Sequence, residues 1–329
     1  MSKALITGGT GFIGAHLARR LLENGYAVDL VDNLSRGTND DTVESLREAG
    51  SVRLLERDLR EPGALDDLGD DYDVVVHLAA IVGVANVVGR PYAVLRDNVV
   101  MTDHVLALAR RQQALRRFLF PSTSEGYVGT LEKFELPVPT PETTPLALPD
   151  LDRPRTSYML SKLYGEAMCQ HAGVPFTIIR PHNVYGPRMG LSHAIPELLQ
   201  RAHAATDGRL EVFSVEHRRT FCYVDDAVEM ITRALEAPGC EGQTVNIGTE
   251  APEITIGELA RLIVGVVGKE LEIVPGPTTP GSPERRCPDM SRTAELTGYR
   301  SRVSLEDGIG RTYDAYRLRV FEPAAVTGA

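Results

Sequence analysis

The 329-residue chain lacks long apolar stretches, low-complexity tracts and an excess of basic charge. Its most apolar stretch, residues 73–88, is shorter than the roughly 20 residues of a membrane-spanning helix and contains polar side chains. The formal net charge of -10 argues against a nucleic-acid scaffold, because contact with a phosphate backbone requires a concentrated basic surface. A local arginine pocket for one diphosphate is compatible with this charge.

Targeting and metal-binding signals are also missing. The first residues, MSKALITGG, enter a strand pattern without the apolar segment of a signal peptide, so we expect a cytoplasmic protein. The eight histidines show no metal-binding spacing such as HExxH, and we expect no metal site. The cysteines lie far apart without a CxxC pair, which favours free thiols over a zinc site or a disulfide framework: Cys169, Cys222, Cys240 and Cys287.

Strand-like and helical patterns alternate over the first 120 residues. Apolar residues at helical spacing cover 12–25 and 91–113, and they separate strand-like segments at 3–7, 26–32, 52–58, 73–79 and 117–122. Such alternation implies parallel strands joined by right-handed crossovers. The pattern therefore predicts an α/β fold with a doubly wound parallel sheet (Rossmann), which binds ligands at the carboxyl ends of its strands.

The second half of the chain has a different sequence pattern. Residues 136–154 are rich in proline and predict a surface loop that could act as a lid. A helical pattern at 156–172 and a buried strand at 174–181 follow, and further helices are predicted at 193–206, 225–237, 256–267 and 305–318. We therefore predict a Rossmann domain over residues 1–180 and a smaller, interleaved substrate domain over 181–329, some segments of which return to the sheet.

A glycine-rich turn predicts a dinucleotide site. In TGGTGFIG (residues 7–14), Gly8, Gly11 and Gly14 are spaced three apart between a strand and a helix, where glycine lets the backbone approach a pyrophosphate. Asp32 ends the next predicted strand, where a carboxylate can hold both ribose hydroxyls and repel a 2′-phosphate. This pattern favours NAD as the cofactor, although Arg36 leaves NADP open. The alternative to a dinucleotide site is a purely structural glycine-rich turn.

Two further strand ends supply candidate cofactor contacts. Asp58 and Leu59 follow the third strand, where the carboxylate either meets the adenine amino group or caps a helix. Small residues in HLAA (77–80) end the fourth strand, as expected beside a cofactor or in a structural turn. The predicted cofactor-binding residues are Gly8, Gly11, Phe12, Ile13, Gly14, Asp32, Asn33, Asp58, Leu59, Leu78, Ala79, Ala80, Tyr158 and Lys162.

Hydroxyl groups and a carboxylate follow the fifth strand, in FLFPSTSEGYVG (118–129). Tyr158 and Lys162 lie four residues apart, on one face of a predicted helix. We expect the lysine ammonium to lower the pKa of the phenol, so that Tyr158 acts as a base, while Thr123 holds the same substrate oxygen. Such a group can remove a proton from a sugar hydroxyl while hydride leaves the carbon for nicotinamide. The predicted catalytic residues are Thr123, Ser124, Glu125, Tyr158 and Lys162.

On these motifs, the sequence resembles an extended short-chain dehydrogenase/reductase of the NAD-dependent nucleotide-sugar epimerase/dehydratase family. The resemblance covers residues 3–318 and extends to RPHNVYGPRMG (180–190), RTFCYVDD (219–226) and VNIG (245–248). It implies that NAD is held through the cycle and that carbon 4 of a hexose on a nucleoside diphosphate is transiently oxidised. It also implies a homodimer packed through the helices near 91–113 and 156–172.

The same resemblance implies substrate contacts from Asn183 and Arg219. The structural alternatives to these contacts are a turn-capping role for Asn183 and a solvated surface position for Arg219. The Ser-Glu pair that follows Thr123 is similar to UDP-glucuronate decarboxylases and to GDP-mannose-type 4,6-dehydratases, which makes Glu125 an acid/base candidate, with a solvated loop acid as the alternative. The segment ERRCPD (284–289) resembles the decarboxylase segment whose arginine supports the departing carboxyl group, so Arg286 is the third predicted substrate contact.

Departures from the family pattern decide which reaction the sequence favours. The usual VYG after the acid is replaced by GYVG (126–129), and SVEHR (214–218) stands where GDG is expected. These changes indicate a rebuilt sugar pocket, so we predict epimerisation through a 4-keto sugar, with decarboxylation and 4,6-dehydration as alternatives. A non-enzymatic NAD-binding sensor is a further alternative, which the intact Thr123, Tyr158 and Lys162 disfavour.

Overall fold

A seven-stranded parallel sheet forms the centre of the protein in the computed structural model, which describes residues 2–134, 137–279 and 282–322. The strands, in chain order, are β1 (Lys3–Thr7), β2 (Ala27–Asp32), β3 (Val52–Glu56), β4 (Val74–His77), β5 (Arg117–Pro121), β6 (Phe176–Pro181), β7 (Val184–Tyr185), β8 (Arg209–Val212), β9 (Arg218–Arg219), β10 (Cys222–Tyr223), β11 (Gln243–Ile247), β12 (Ile254–Thr255), β13 (Glu272–Pro275) and β14 (Arg285–Arg286). The order in the central sheet is β11-β6-β5-β4-β1-β2-β3, so the predicted doubly wound α/β fold is confirmed.

Helices cover both faces of this sheet. They are α1 (Phe12–Glu23), α2 (Asp41–Glu48), α3 (Val84–Gly89), α4 (Pro91–Arg110), α5 (Val128–Lys133), α6 (Pro154–His171), α7 (Ala194–Ala204), α8 (Val224–Glu236), α9 (Ile256–Val267), α10 (Ser291–Thr297) and α11 (Leu305–Tyr316). Both α4 and α6 begin at a proline, whose fixed φ suits the first helical turn.

The inner strands of the central sheet are largely apolar because both faces of the sheet are buried. In β4, Val74 and Val76 face one hydrophobic core, while Val75 faces the other, as the two-residue period of a strand requires. Helices α1 and α8 contribute Leu17 and Ile231 to the first core, and α4 and α6 contribute their apolar sides to the second. Each such fully buried side chain stabilises the fold by about 1.5–3 kcal/mol.

The second half of the chain completes the sheet and builds a smaller layer beside its carboxyl edge. Strand β11 returns to the sheet beside β6, whereas β8 pairs with β13, and β9 lies between β12 and β14. Helices α7, α9 and α11 pack on one another next to these short strands. The interleaving of the two halves is therefore confirmed, while the domain division at residue 180 stays a prediction.

The proline-rich segment differs from the predicted surface loop. Residue 136, its first residue in that prediction, lies outside the described residues. Further along, Thr140 is buried, donates its backbone N–H to Cys287 at 2.8 Å and accepts one from Asp289 at 2.9 Å. Glu142 accepts the backbone N–H of Asn246 at 2.7 Å. These bonds tie the segment to β11 and β14, and its role as a lid stays a prediction.

Candidate active site

A cavity of about 710 Å³ opens at the carboxyl edge of the sheet. It is bounded by the ends of β1, β2, β4 and β5 and by the segment that follows β6, which is where a doubly wound sheet binds its ligand. The cavity is lined by every predicted cofactor residue except Asp58: Gly8, Gly11, Phe12, Ile13, Gly14, Asp32, Asn33, Leu59, Leu78, Ala79, Ala80, Tyr158 and Lys162.

The glycine turn leaves no room for side chains. Gly8 has a φ of +68°, and a Cβ atom there would lie 2.7 Å from the backbone nitrogen of Ala79. A Cβ atom on Gly14 would lie 2.3 Å from the carbonyl oxygen of Gly8. Gly11 precedes α1 and provides no side-chain cap, so the first N–H groups of the helix stay available for phosphate oxygens. This cradle fits a dinucleotide pyrophosphate.

Asp32 is oriented by the backbone on either side of it. Its carboxylate accepts the N–H of Thr10 at 3.1 Å and the N–H of Leu34 at 2.9 Å. These two bonds leave the remaining lone pairs of the carboxylate for ribose hydroxyls, at the edge of a cavity that the residue lines. The position and orientation of Asp32 therefore fit an NAD ribose.

Asp58 is engaged within the protein. Its carboxylate accepts hydrogen bonds from the guanidinium and the backbone N–H of Arg60 and from Asn33 at 3.2 Å. The bonds to Arg60 hold the pKa of Asp58 well below its usual range, although burial acts in the opposite sense. Asp58 thus caps a turn, and not a helix as in the alternative stated for it, while its adenine contact stays a prediction.

Three of the predicted catalytic residues, Thr123, Tyr158 and Lys162, line the same cavity. Thr123 follows β5 and accepts the N–H of Glu125 at 3.1 Å, which starts a short 3₁₀-helix over Ser124–Tyr127. Tyr158 and Lys162 project from α6 into the same space, and both line the cavity with Thr123. Ser124 is buried beside Thr123, outside this lining. The structure therefore brings the three predicted groups together.

The electrostatics of the phenol differ from the expectation. Burial raises the pKa of Tyr158, Glu125 raises it further, and Arg36 and Thr123 act against both. Burial also lowers the pKa of the Lys162 ammonium to about 8. The Lys162 nitrogen lies 6.0 Å from the centre of the Tyr158 ring. Desolvation penalises both charged forms, so the expected lowering of the phenol pKa by Lys162 is absent from this structure.

A charged cluster of Glu125, Arg155 and Arg286 lies outside the residues that line the cavity. The half-buried Glu125 acts electrostatically on Tyr158 and on Arg286 of β14. Burial lowers the pKa of Arg286, Glu125 raises it, and Arg155 lowers it. Arg155 was not among the predicted site residues. Its position three residues before Tyr158 on the same helix was the available signal.

Asn183 and Arg219 occupy different environments. Asn183 lines the cavity with a φ of +41°, and its amide donates to the carbonyl of Thr220 at 2.9 Å. Arg219 is buried, and its guanidinium donates to Ser282 at 2.9 Å and to the carbonyl of Glu284 at 3.2 Å. Burial, with Arg286 nearby, lowers the pKa of Arg219 to about 10. Arg219 is thus no solvated surface arginine, but it does not line the cavity.

Comparison with known proteins identifies the family. The sequence model of the NAD-dependent epimerase/dehydratase family matches residues 4–248. The chain belongs to this family. It is 31% identical to the UDP-N-acetyl-alpha-D-glucosaminuronate decarboxylase of Bacillus cytotoxicus, over 96% of this chain and 98% of the relative. It is 30% identical to UDP-glucuronic acid decarboxylase 6 of Arabidopsis thaliana, over 98% of this chain and 90% of the relative.

Solved structures of this family share the architecture. The UDP-glucose 4-epimerase of Thermotoga maritima superposes with a TM-score of 0.82 at 28% identity, over 96% of this chain and 98% of the epimerase. Membership of the NAD-dependent epimerase/dehydratase family confirms NAD as the cofactor. Among the described residues, no three His, Cys, Asp or Glu side chains are grouped to hold a metal ion. None of the helices in the described ranges has the length and apolarity to cross a membrane.

Proposed function

We propose that the protein is an NAD-dependent decarboxylase of a nucleotide-linked hexuronate, such as UDP-glucuronate or UDP-N-acetylglucosaminuronate. The observation that carries this proposal is that Glu125 acts electrostatically on both Tyr158 and Arg286, while Arg155 adds a second cation near Arg286. Within the described residues, Arg286 forms no ion pair and its side chain makes no hydrogen bond, so its guanidinium is free to bind an acid. The decarboxylase relatives of this chain support the same reaction.

The residues of the dinucleotide cradle have defined tasks. The turn of Gly8 and Gly14 and the N-terminus of α1 would hold the pyrophosphate, and Asp32 would hold the adenosine ribose. The chemistry that NAD supplies when bound is hydride acceptance from carbon 4 of the sugar and hydride return after the reaction at carbon 5. Lys162 lines the cavity next to Tyr158, where its N–H groups can orient bound hydroxyls.

The remaining steps belong to the side chains around the sugar. Tyr158 takes the proton of the hydroxyl on carbon 4, while Thr123 holds the same oxygen. Arg286 and Arg155 bind the carboxylate on carbon 5. With a ketone at carbon 4, the bond from carbon 5 to the carboxylate breaks, its electron pair moves towards the ketone oxygen, and CO₂ leaves. Glu125 then delivers a proton to carbon 5 as the ketone forms again.

Product analysis separates the candidate reactions. The purified protein is incubated with NAD and, in turn, UDP-glucuronate, UDP-N-acetylglucosaminuronate and UDP-glucose, and the products are examined by mass spectrometry and NMR. We expect a product that has lost CO₂ from one of the two acids. An isomer of unchanged mass would indicate an epimerase, and loss of water would indicate a dehydratase. No change of any nucleotide sugar, with NAD still bound, would favour the sensor.

Two neighbouring arginines provide a matched pair of variants. Arg286→Gln removes the cation of the charged cluster, and we expect kcat/KM for the hexuronate to fall by about 100-fold or more, the loss typical of a charged contact. Arg285→Gln on the same strand removes a surface ion pair with Glu253 and should stay within about twofold. Equal effects of the two changes would contradict the role of Arg286.

Epimerisation, favoured by the sequence alone, is the second candidate. Its support is the superposition with the UDP-glucose 4-epimerase of Thermotoga maritima, with which the chain shares the fold. An epimerase acting on a neutral sugar has no acidic group for Arg286 to bind. The charged cluster therefore favours decarboxylation over epimerisation of a neutral hexose.

A further inference from the structure

Arg188 is a cavity-lining residue to which the proposed mechanism assigns no task. It lies between β7 and α7 in a turn over residues 186–190, which we call the arginine turn, and its φ of +72° is a conformation that residues other than glycine rarely adopt. Its side chain is only 9% exposed, although arginine side chains are rarely this buried. The unusual backbone and the buried charge indicate that the position of this guanidinium is closely determined.

The arginine turn is fixed to the body of the protein on both sides of Arg188. The carbonyl oxygen of Pro187 accepts a hydrogen bond from Nε2 of His16, in α1, at 3.1 Å. The carbonyl oxygen of Met189 accepts one from the hydroxyl of Tyr316, in α11. Because α1 and α11 both contribute to the first hydrophobic core, the turn holds the base of the Arg188 side chain in a fixed place.

The guanidinium of Arg188 contacts two segments of the cofactor side of the cavity. Its Nη2 donates to the carbonyl oxygen of Thr10, in the glycine turn, at 2.7 Å and to the carbonyl oxygen of Thr38 at 3.4 Å. Its Nη1 forms an ion pair with Oδ2 of Asp40. Thr38 and Asp40 belong to the segment between β2 and α2, residues 33–40, which we call the cofactor loop. Arg188 therefore joins the glycine turn to the cofactor loop.

The cofactor loop has few other attachments. Four of its residues line the cavity: Asn33, Ser35, Arg36 and Gly37. Among the described residues, no backbone–backbone hydrogen bond connects residues 33–39 to another part of the chain. Side-chain bonds hold it near its two ends, from Asn33 to Asp58 at 3.2 Å and from Asn39 to Glu44 at 2.7 Å. A segment with so few backbone bonds can open locally at a small cost in free energy, and opening this one would uncover the side of the cavity next to Asp32.

We propose that Arg188 is a positioning residue that fastens the cofactor loop to the glycine turn and thereby slows the dissociation of NAD. The contact with Asp40 is charge-assisted, and its fixed side lies in the half of the chain that follows β6. Dissociation of NAD then requires this ion pair to break before the loop can open. This role depends on NAD, the cofactor of the family, and it is independent of which sugar reaction the protein catalyses.

Two substitutions remove this contact from opposite ends. Arg188→Gln removes the cation, and Asp40→Asn removes the anion. Asparagine still caps α2, because the cap uses Oδ1 of Asp40, which accepts the first two free N–H groups of the helix at 3.1 and 3.3 Å, whereas Oδ2 faces Arg188. Arg47→Gln is the control, since it removes a surface ion pair with Glu44 within α2 itself.

The measurement is the dissociation rate of NADH from the loaded protein, followed as the loss of NADH fluorescence after excess NAD is added. We expect Arg188→Gln and Asp40→Asn each to raise this rate by about tenfold, the lower end of the effect of losing a hydrogen bond to a charged group, because Asp40 is partly exposed. The double variant should be no faster than Arg188→Gln alone, because both changes remove the same contact. The rate of Arg47→Gln should stay within about twofold of the wild type.

Salt provides a readout that a purely structural role would not change. The rate of the wild type should rise more steeply with NaCl concentration than that of Asp40→Asn, because salt screens the ion pair that only the wild type has. Unchanged rates in Arg188→Gln and Asp40→Asn would overturn the inference. A faster rate in Arg188→Gln alone would assign the effect to the packing of the arginine turn, and an equal rise in Arg47→Gln would assign it to α2, and either result would also overturn the inference.

Discussion

Tyr158 illustrates at the residue scale how burial sets the chemistry of a side chain. The phenol lines a cavity with Thr123 and Lys162, and burial raises its pKa. A neutral phenol gives up its proton only when a bound substrate and cofactor replace the missing solvation. Its predicted role as the base therefore depends on bound substrate and cofactor.

Tyr158→Phe tests that role. We expect the variant to fold and to retain NAD, because the change removes only the hydroxyl beside Thr123 and leaves the buried ring in place. Turnover should fall by about 100-fold or more, the usual contribution of a general base. Product formation measures turnover, and the NAD released when the protein is denatured measures how much cofactor was bound. Tyr164→Phe, on the exposed side of the same helix, is the control. Full activity of Tyr158→Phe would contradict the role of Tyr158 as the base.

His77 provides a pH-dependent test of stability. It is buried at the end of β4, with Nδ1 at 2.8 Å from the hydroxyl of Thr7, and burial, followed by the charge of Lys162, lowers its pKa to about 3. The folded protein keeps the ring neutral, whereas the histidine of the unfolded chain binds a proton below its ordinary pKa of 6.5. His77 therefore makes the free energy of unfolding fall as pH decreases from about 6.5 towards 3.

The slope due to one such histidine is about 1.4 kcal/mol per pH unit. We expect His77→Gln to flatten the pH dependence of the unfolding free energy by about this amount between pH 5 and 6, and to leave its slope above pH 7 unchanged. Urea unfolding at several pH values measures the unfolding free energy and hence its slope for each protein. Identical slopes for the two proteins would show that His77 is protonated in the folded state.

At the scale of elements, the turn between β1 and α1 shows why glycine is needed at its particular positions. We expect Gly14→Ala to lose bound NAD and to lower Tm by several degrees, because the added Cβ would meet the Gly8 carbonyl oxygen at 2.3 Å. Gly265→Ala in α9 is the control, since its Cβ would enter open space, and it should raise stability by about 0.5–1 kcal/mol. Retention of NAD by Gly14→Ala would contradict the role of this turn in binding the pyrophosphate.

The long elements were predictable from the sequence, and the short ones were not. The helical patterns at 91–113 and 156–172 correspond to α4 and α6, whose apolar residues recur over several turns. The short helices α2, α3, α5 and α10 were missed because six to eight residues carry too few repeats of the helical period. Strands β3 and β4 end before Asp58 and Leu78, so these residues lie in the loops that bound the cavity.

At the scale of the whole molecule, the predicted homodimer concerns the outer surface of α4 and α6. Tyr92 of α4 is 75% exposed and Tyr164 of α6 is 54% exposed, a costly arrangement for large apolar side chains in water. We expect these helices to pair with those of a second copy, and light scattering after size exclusion to give the mass of a dimer.

A charge placed on this surface tests the assembly. Tyr92→Glu should shift the protein towards the monomer, because burying an unpaired carboxylate in an interface is unfavourable. Leu318→Glu, an equally exposed apolar position outside α4 and α6, should leave the mass unchanged. A monomeric wild type would contradict the dimer. The cytoplasmic location stays a prediction.

The sequence by itself determined the sheet, its flanking helices, the NAD cradle and the Thr-Tyr-Lys trio. These features depend on local periodicity and on residues at strand ends, which parallel strands bring to one edge. Only the tertiary structure decided that Glu125 acts electrostatically on both Tyr158 and Arg286, and that Arg219 turns inward. Such interactions join residues that are distant in the chain, and they depend on how the strands and helices pack, which no local pattern records.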